Sequence, residues 1–194
     1  MYRNTKQLIH TIMKNLTKLL LGMLFAGIIF TGCKEAEELL YVNFNADYET
    51  EFDVTVPPTS GGKIGTDGTF SLTETIEPTK NEDYKLYIDN IKEVDIQEVS
   101  GTFIELSEDI SLKTGIISVT NQDYTATWEF GAQQIQVGTV LVLDNDQGQW
   151  DAMTDIMLGK KPFTVSIVGE IEEEDVTFTV LFKMKSVVTA SPLQ

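Results

Sequence analysis

The chain is 194 residues long and carries thirty Asp and Glu against fourteen Lys and Arg, a net charge of −16. That balance excludes nucleic-acid binding, which needs clustered positive charge to displace counterions. The sole histidine is His10, the sole arginine Arg3 and the sole cysteine Cys33, so beyond residue 33 there is no histidine base, Ser-His-Asp triad, Cys/His zinc site, arginine clamp or disulfide.

The first segment in chain order is a targeting signal. Arg3, Lys6, Lys14 and Lys18 are basic, no acid precedes Glu35, and an uncharged apolar stretch runs from Leu19 to Phe30 before the small residues Thr31 and Gly32. A basic n-region, an apolar h-region and a small-residue exit are the parts of a secretory signal. The apolar stretch falls well short of the about 20 residues that a spanning helix needs, so a permanent transmembrane anchor is the weaker reading. Met13 offers an alternative start, from which the signal reads MKNLTKLLLGMLFAGIIFTGC, a compact length for its kind.

Phe30-Thr31-Gly32-Cys33 resembles the lipobox of bacterial lipoproteins, with Phe30 where leucine is commoner. The resemblance implies that residues 1–32 are a signal peptide, that Cys33 is lipidated and that the chain is held on a membrane. Each buried methylene of such a lipid contributes about 0.8 kcal/mol, and stable anchoring takes more than one chain. The alternative is an ordinary secretory signal followed by an incidental cysteine. Lys34-Glu35-Ala36-Glu37-Glu38 in turn resembles the Lys-plus-acidic export signal of surface lipoproteins in the Bacteroidota, which implies an outer-membrane location and display at the cell surface. A solvated acidic tether over 33–39 accounts for the same residues equally well. Removal of the signal leaves ten lysines against thirty acids, a net charge near −20. What remains suits a single domain over 40–194, which at that length buries about 68–70% of its unfolded surface.

From Leu40 the even positions are apolar (Leu40, Val42, Phe44, Ala46, Tyr48, then Phe52, Val54, Val56) and the odd ones mostly polar. This period of two predicts two collinear strands or one bent at Thr50. Pro57-Pro58 and Ser60-Gly61-Gly62 end them. A strand follows at 70–76, then Tyr84, Tyr87, Ile88 and Ile91 at helical spacing predict a short helix over 81–90 capped by Asn81. Strands are expected at 94–106, with Gly101 as a bulge, at 110–119, at 124–130 after a turn at Asn121-Gln122-Asp123, and at 135–143. A second helix is expected at 146–158, stopped by Gly159 and Pro162. The last two strands, 163–168 and 176–189, are expected as a hairpin around the acidic 170–175 segment.

Seven to nine strands with two one-sided helices predict an all-β fold, an antiparallel β-sandwich of immunoglobulin-like or related type with helices plugging its ends. A closed β-barrel is the alternative, since both share these signals. The order of elements, ending in Val187-Val188-Thr189-Ala190-Ser191-Pro192-Leu193, resembles lipoproteins of the Bacteroidota along most of the chain after Cys33. That resemblance is one of overall pattern and carries no catalytic residues.

Candidate sites are few. Asp144, Asp146 and Asp155 stand at positions one, three and twelve of a calcium-type loop. Gly148 and Gln149, however, occupy positions where a ligand and a glycine are expected, and a predicted helix covers half of the segment. A polar turn whose acids cap the next helix explains the same residues. Glu170, Glu172, Glu173, Glu174 and Asp175 suit a solvated hairpin tip better than a cation site. Trp128, Trp150, Tyr84, Tyr87 and Tyr124 could stack on sugar rings if exposed, but the positions of both tryptophans point to the core. Paired carboxylates leave a glycosidase as the one catalytic option, without a motif to support it. The expectation is a non-catalytic envelope lipoprotein with a binding or structural sandwich, without a cofactor unless calcium, and with a glycan or an envelope protein as partner. A calcium-dependent or carbohydrate-binding module is the alternative.

Overall fold

The computed structural model describes residues 41–58 and 68–192. The signal segment, Cys33 and the acidic tether lie outside the described residues. Val42–Gln194 form one compact unit.

Among the described residues ten strands form two antiparallel sheets. Sheet A has β1 (Val42–Asn45) and β2 (Tyr48–Val56) side by side with β10 (Val176–Ala190), which pairs with β4 (Ile91–Leu106), which pairs with β8 (Val140–Val142). Sheet B runs from β3 (Thr69–Ile76) to β9 (Phe163–Ile171) to β5 (Ile110–Thr120), and then to β6 (Thr125–Phe130) and β7 (Gln133–Ile135), which share the same edge of β5. The sheets face each other across one core, so the fold is the expected sandwich and not a barrel. Counting each collinear pair once gives two sheets of four. Their orders, β2-β10-β4-β8 and β3-β9-β5-β6, are those of a jelly roll.

Alternation within the strands builds the core. Phe52, Val54 and Val56 of β2, Phe178, Val180, Phe182 and Met184 of β10, and Phe163, Val165 and Ile167 of β9 are all buried, with polar neighbours mostly outside. β4 keeps its apolar face inward over sixteen residues by three register shifts, which insert Lys92, Gln97 and Ile104 as extra residues against β10. The buried series therefore steps by three at those points (Ile91 to Val94, Ile96 to Val99), because one extra residue would otherwise turn the core face to water. Gly101 is not a bulge: it pairs in register with Phe182 and Leu141. A Cβ there would lie 3.1 Å from Ile117 Cδ1, so the glycine serves close packing of the two sheets. Edge-on contacts join the sheets at both ends, Phe70 to Phe178 at 5.2 Å and Tyr48 to Phe163 at 6.0 Å.

Several expectations are corrected. The two collinear strands expected first are present as β1 and β2, but the break between them falls at Ala46-Asp47 and not at Thr50; there the buried Ser186 hydroxyl donates to Ala46 O at 2.6 Å. The expected strand at 135–143 is two strands in opposite sheets, β7 and β8, with Gly138 between them at φ +86°. The expected terminal hairpin is an arch, since β9 belongs to sheet B and β10 to sheet A. The helices α1 (Glu82–Tyr87) and α2 (Gln149–Leu158) do not plug opposite ends. They meet at one end, where the Tyr84 hydroxyl donates to Met157 O. Asn81 caps α1 as expected, its Oδ1 accepting from Tyr84 N at 2.9 Å. No helix among the described residues is long and apolar enough to cross a membrane.

Candidate functional site

Strand β6 turns Ala126 and Trp128 into the core and Thr127 and Glu129 outward. β6 ends sheet B on the side where β8 ends sheet A. Helix α2 packs against both β4 and β6, and the segment 143–148 leads into it from β8. A cleft of about 410 Å³ opens there, lined by Thr127 to Phe130 of β6 and by Val142, Asp144, Asp146, Gln147 and Gln149.

The segment 143–148 is held firmly. Trp128 Nε1 donates to Asp144 O at 2.7 Å and Trp150 Nε1 donates to Leu143 O at 2.8 Å. Gly148, at φ +79°, closes a turn by donating its N–H to Asn145 O at 3.3 Å. The start of α2 is served by Asn145, whose Oδ1 accepts from Trp150 N at 2.8 Å, and not by the acids expected to cap it. The lining thus offers three carboxylates (Glu129, Asp144, Asp146) and two amides (Gln147, Gln149) on a pre-set frame, with no basic group among them. Such a site suits ligands rich in donors or positive charge and repels anions.

The structure brings Asp144 and Asp146 together on this cleft, and Asp144 Oδ1 also accepts from Asp146 N at 3.4 Å. Asp155 does not join them: it is exposed on α2 and outside the lining. Among the described residues no three acids, histidines or cysteines converge as a metal site. Glu129 and the two glutamines completed the cleft without a sequence signal of their own. Glu129 is 15 positions before Asp144 in the chain, and only the side-by-side ends of the two sheets bring them to one place.

The acidic segment is an arch between sheets and is tied down. Glu173 accepts from Ser111 N at 2.8 Å, and Glu170 pairs with Lys113 at 3.0 Å. Partial burial pushes the Glu173 carboxyl up, but hydrogen bonds from the Ser111 N–H and hydroxyl and from local main-chain N–H groups outweigh it and hold the carboxyl below its ordinary value. The aromatic candidates divide. Trp128 and Tyr84 are buried, Trp150 is half-buried against the core, Tyr87 stacks on Phe44, and Tyr124 is 44% exposed.

The outer face of sheet B carries two uncharged rows, Thr75-Thr164-Thr120-Thr125 and Thr73-Ser166-Ser118-Thr127. Their hydroxyls bond each other, Thr120 to Thr125 at 2.8 Å and Thr73 to Ser166 at 3.1 Å, as cross-strand pairs that support the sheet.

No protein-family model matches the chain, and no curated protein matches it. Among solved structures it is similar to the decameric BFDV capsid protein, at 9% identity and a TM-score of 0.40, covering 77% of this chain and 99% of that one. The 60-mer BFDV capsid protein gives 10% identity and a TM-score of 0.37 over 79% and 96%. Desmodium yellow mottle tymovirus gives 8% identity and a TM-score of 0.26 over 79% and 92%.

Proposed function

We propose that this chain is a lipoprotein of the bacterial outer membrane, anchored through Cys33, whose jelly-roll domain binds a partner without catalysing a reaction. The observation that carries the reading is the placement of the only cysteine directly after an apolar signal stretch and a small residue. The sequence spacing agrees with it: only residues 34–41 come between Cys33 and the first residue of β1 in the chain. Binding without catalysis is favoured by the residue types available. The cleft offers acids and amides, and the chain beyond Cys33 has no histidine or arginine to serve a nucleophile or an oxyanion.

Metabolic labelling with a radioactive fatty acid tests the anchor. Label is expected on the wild-type chain and absent from Cys33→Ala. A wild type that takes up no label overturns the lipoprotein reading and leaves a freely secreted domain in its place.

A further inference from the structure

We propose that β8 is a docking edge for an extended, basic polypeptide segment that adds to sheet A as a further strand. This rests on the binding role put forward above and names its partner.

The main chain is the first reason. Among the described strands β8 pairs only with β4. Thr139 O accepts from Phe103 N at 3.0 Å and Leu143 N donates to Val99 O at 3.1 Å, so the odd residues 139, 141 and 143 face β4. In an antiparallel ladder the main-chain groups alternate in direction, which turns the N–H and C=O of Val140 and Val142 to the open side. That is the template on which a new strand forms.

The side chains are the second reason. Val137, Val140 and Val142 are 63%, 52% and 66% exposed, and they crowd six residues of one edge. Residues 131–143 (GAQQIQVGTVLVL) hold no charge and no proline, in a chain that is 23% charged. Edge strands are ordinarily blunted by brevity, lysine, proline, a bulge or a covering element; β8 has the brevity, at three residues, but it holds no lysine or proline, and among the described residues no strand pairs with its open side. This open edge coincides with the acidic cleft, to which Val142 belongs.

Charge selects the occupant. Glu129, Asp144 and Asp146 lie at the end of β8 with no basic group among the lining residues. A strand that sets apolar residues against the valines and places Lys or Arg near those carboxylates is complementary to both features. A second copy of this chain is not: pairing β8 with itself would bring the same acids together, in molecules that carry ten lysines against thirty acids after Gly32.

The test uses the full chain in detergent micelles and two fluorescent, N-acetylated octapeptides, one alternating valine with lysine and the other valine with glutamate. Anisotropy is expected to show the lysine peptide binding at least tenfold more tightly than the glutamate peptide. Val142→Pro deletes an open-side N–H that the β4 ladder does not use, a place where edge strands accept proline. It is expected to keep the fold by circular dichroism and to weaken binding at least tenfold. Val142→Lys, at an exposed position, is a second variant that keeps the main chain intact and is expected to repel the lysine peptide to a similar extent. Equal binding of the two peptides, no binding of either, or undiminished binding by the folded variants overturns the proposal. So does a dimer in sedimentation that Val142→Pro dissolves, which would make a second copy the occupant. A chain that takes lipid on Cys33 but binds neither peptide refutes this inference alone and leaves the anchor standing.

Discussion

Trp128 and Trp150 hold neighbouring carbonyls of one segment: the first indole donates to Asp144 O at 2.7 Å and the second to Leu143 O at 2.8 Å. One tryptophan belongs to sheet B and the other to helix α2, so the segment between them is gripped from two sides just where it shapes the cleft.

Replacing either indole by a phenyl ring keeps most of the apolar contact and removes the donor. A carbonyl left without its partner costs about 1–3 kcal/mol. Trp128→Phe is expected at the upper part of that range, because its ring is buried, and Trp150→Phe at the lower part. The double variant is expected to depart from additivity by about 0.5 kcal/mol or more, since both residues restrain one segment. Urea unfolding of the four proteins measures all three quantities.

Gly169 of β9 sits under an aromatic ring. A Cβ there would come within 2.4 Å of Phe70 Cζ and 2.9 Å of Thr114 O. Gly169→Ala is expected to destabilise by about 1–3 kcal/mol through overpacking, or roughly 2–4 °C in Tm per kcal/mol for a domain of this size. Gly131→Ala is the control, with nothing within 4 Å of its added carbon and little change expected.

At high pH the helix-bearing end is expected to fail first. Burial pushes the Tyr84 phenol up to about 12; burial, and then the neighbouring Tyr84, pushes Tyr48 higher still. Both hydroxyls donate to main-chain carbonyls, Tyr84 to Met157 O and Tyr48 to Pro78 O, bonds that a phenolate cannot make. A raised pKa contributes stability that is complete below the unfolded value of about 10 and is lost as pH climbs through the folded value. Denaturant midpoints should therefore fall steeply between pH 10 and pH 12, with tyrosinate absorbance rising alongside. Tyr84→Phe is expected to flatten that limb while lowering stability at neutral pH.

Glu173 governs part of the acid limb in the opposite sense. Its folded-state pKa is depressed, so its contribution is present above the unfolded value and is lost as pH falls through the lower folded one. Glu173→Gln is expected to narrow the difference in unfolding free energy between pH 7 and pH 3. An unchanged difference would show that the bond to Ser111 N does not persist in solution.

Much of the architecture was legible because burial has a period. The cap at Asn81, the buried Trp128 and the stop at Gly159 were all read from local pattern, and each has a local physical cause; the helix expected over 81–90 instead ends at Tyr87, and Ile91 opens β4. The run 135–143 was not. Val140, Leu141, Val142 and Leu143 are apolar on both faces, so no alternation marked where β7 ends and β8 begins, and only a tight turn over 136–139 with the left-handed Gly138 separates them. The three bulges of β4 hid in the same way, since a step of three in a strand looks like noise until its partner is known.

By itself the sequence determined the position of its lone cysteine after an apolar stretch, the acidic balance, the all-β class and which face of most strands is buried. These depend on composition and on neighbours two to four residues away. The tertiary structure alone decided that β9 and β10 part into opposite sheets, that α1 and α2 meet at one end, and that Glu129 joins Asp144 and Asp146 beside strand β8. Alternation tells a strand which side to bury but not which strand to pair with. That choice is made by main-chain hydrogen bonds between residues far apart in the chain, and every candidate partner offers the same N–H and C=O groups.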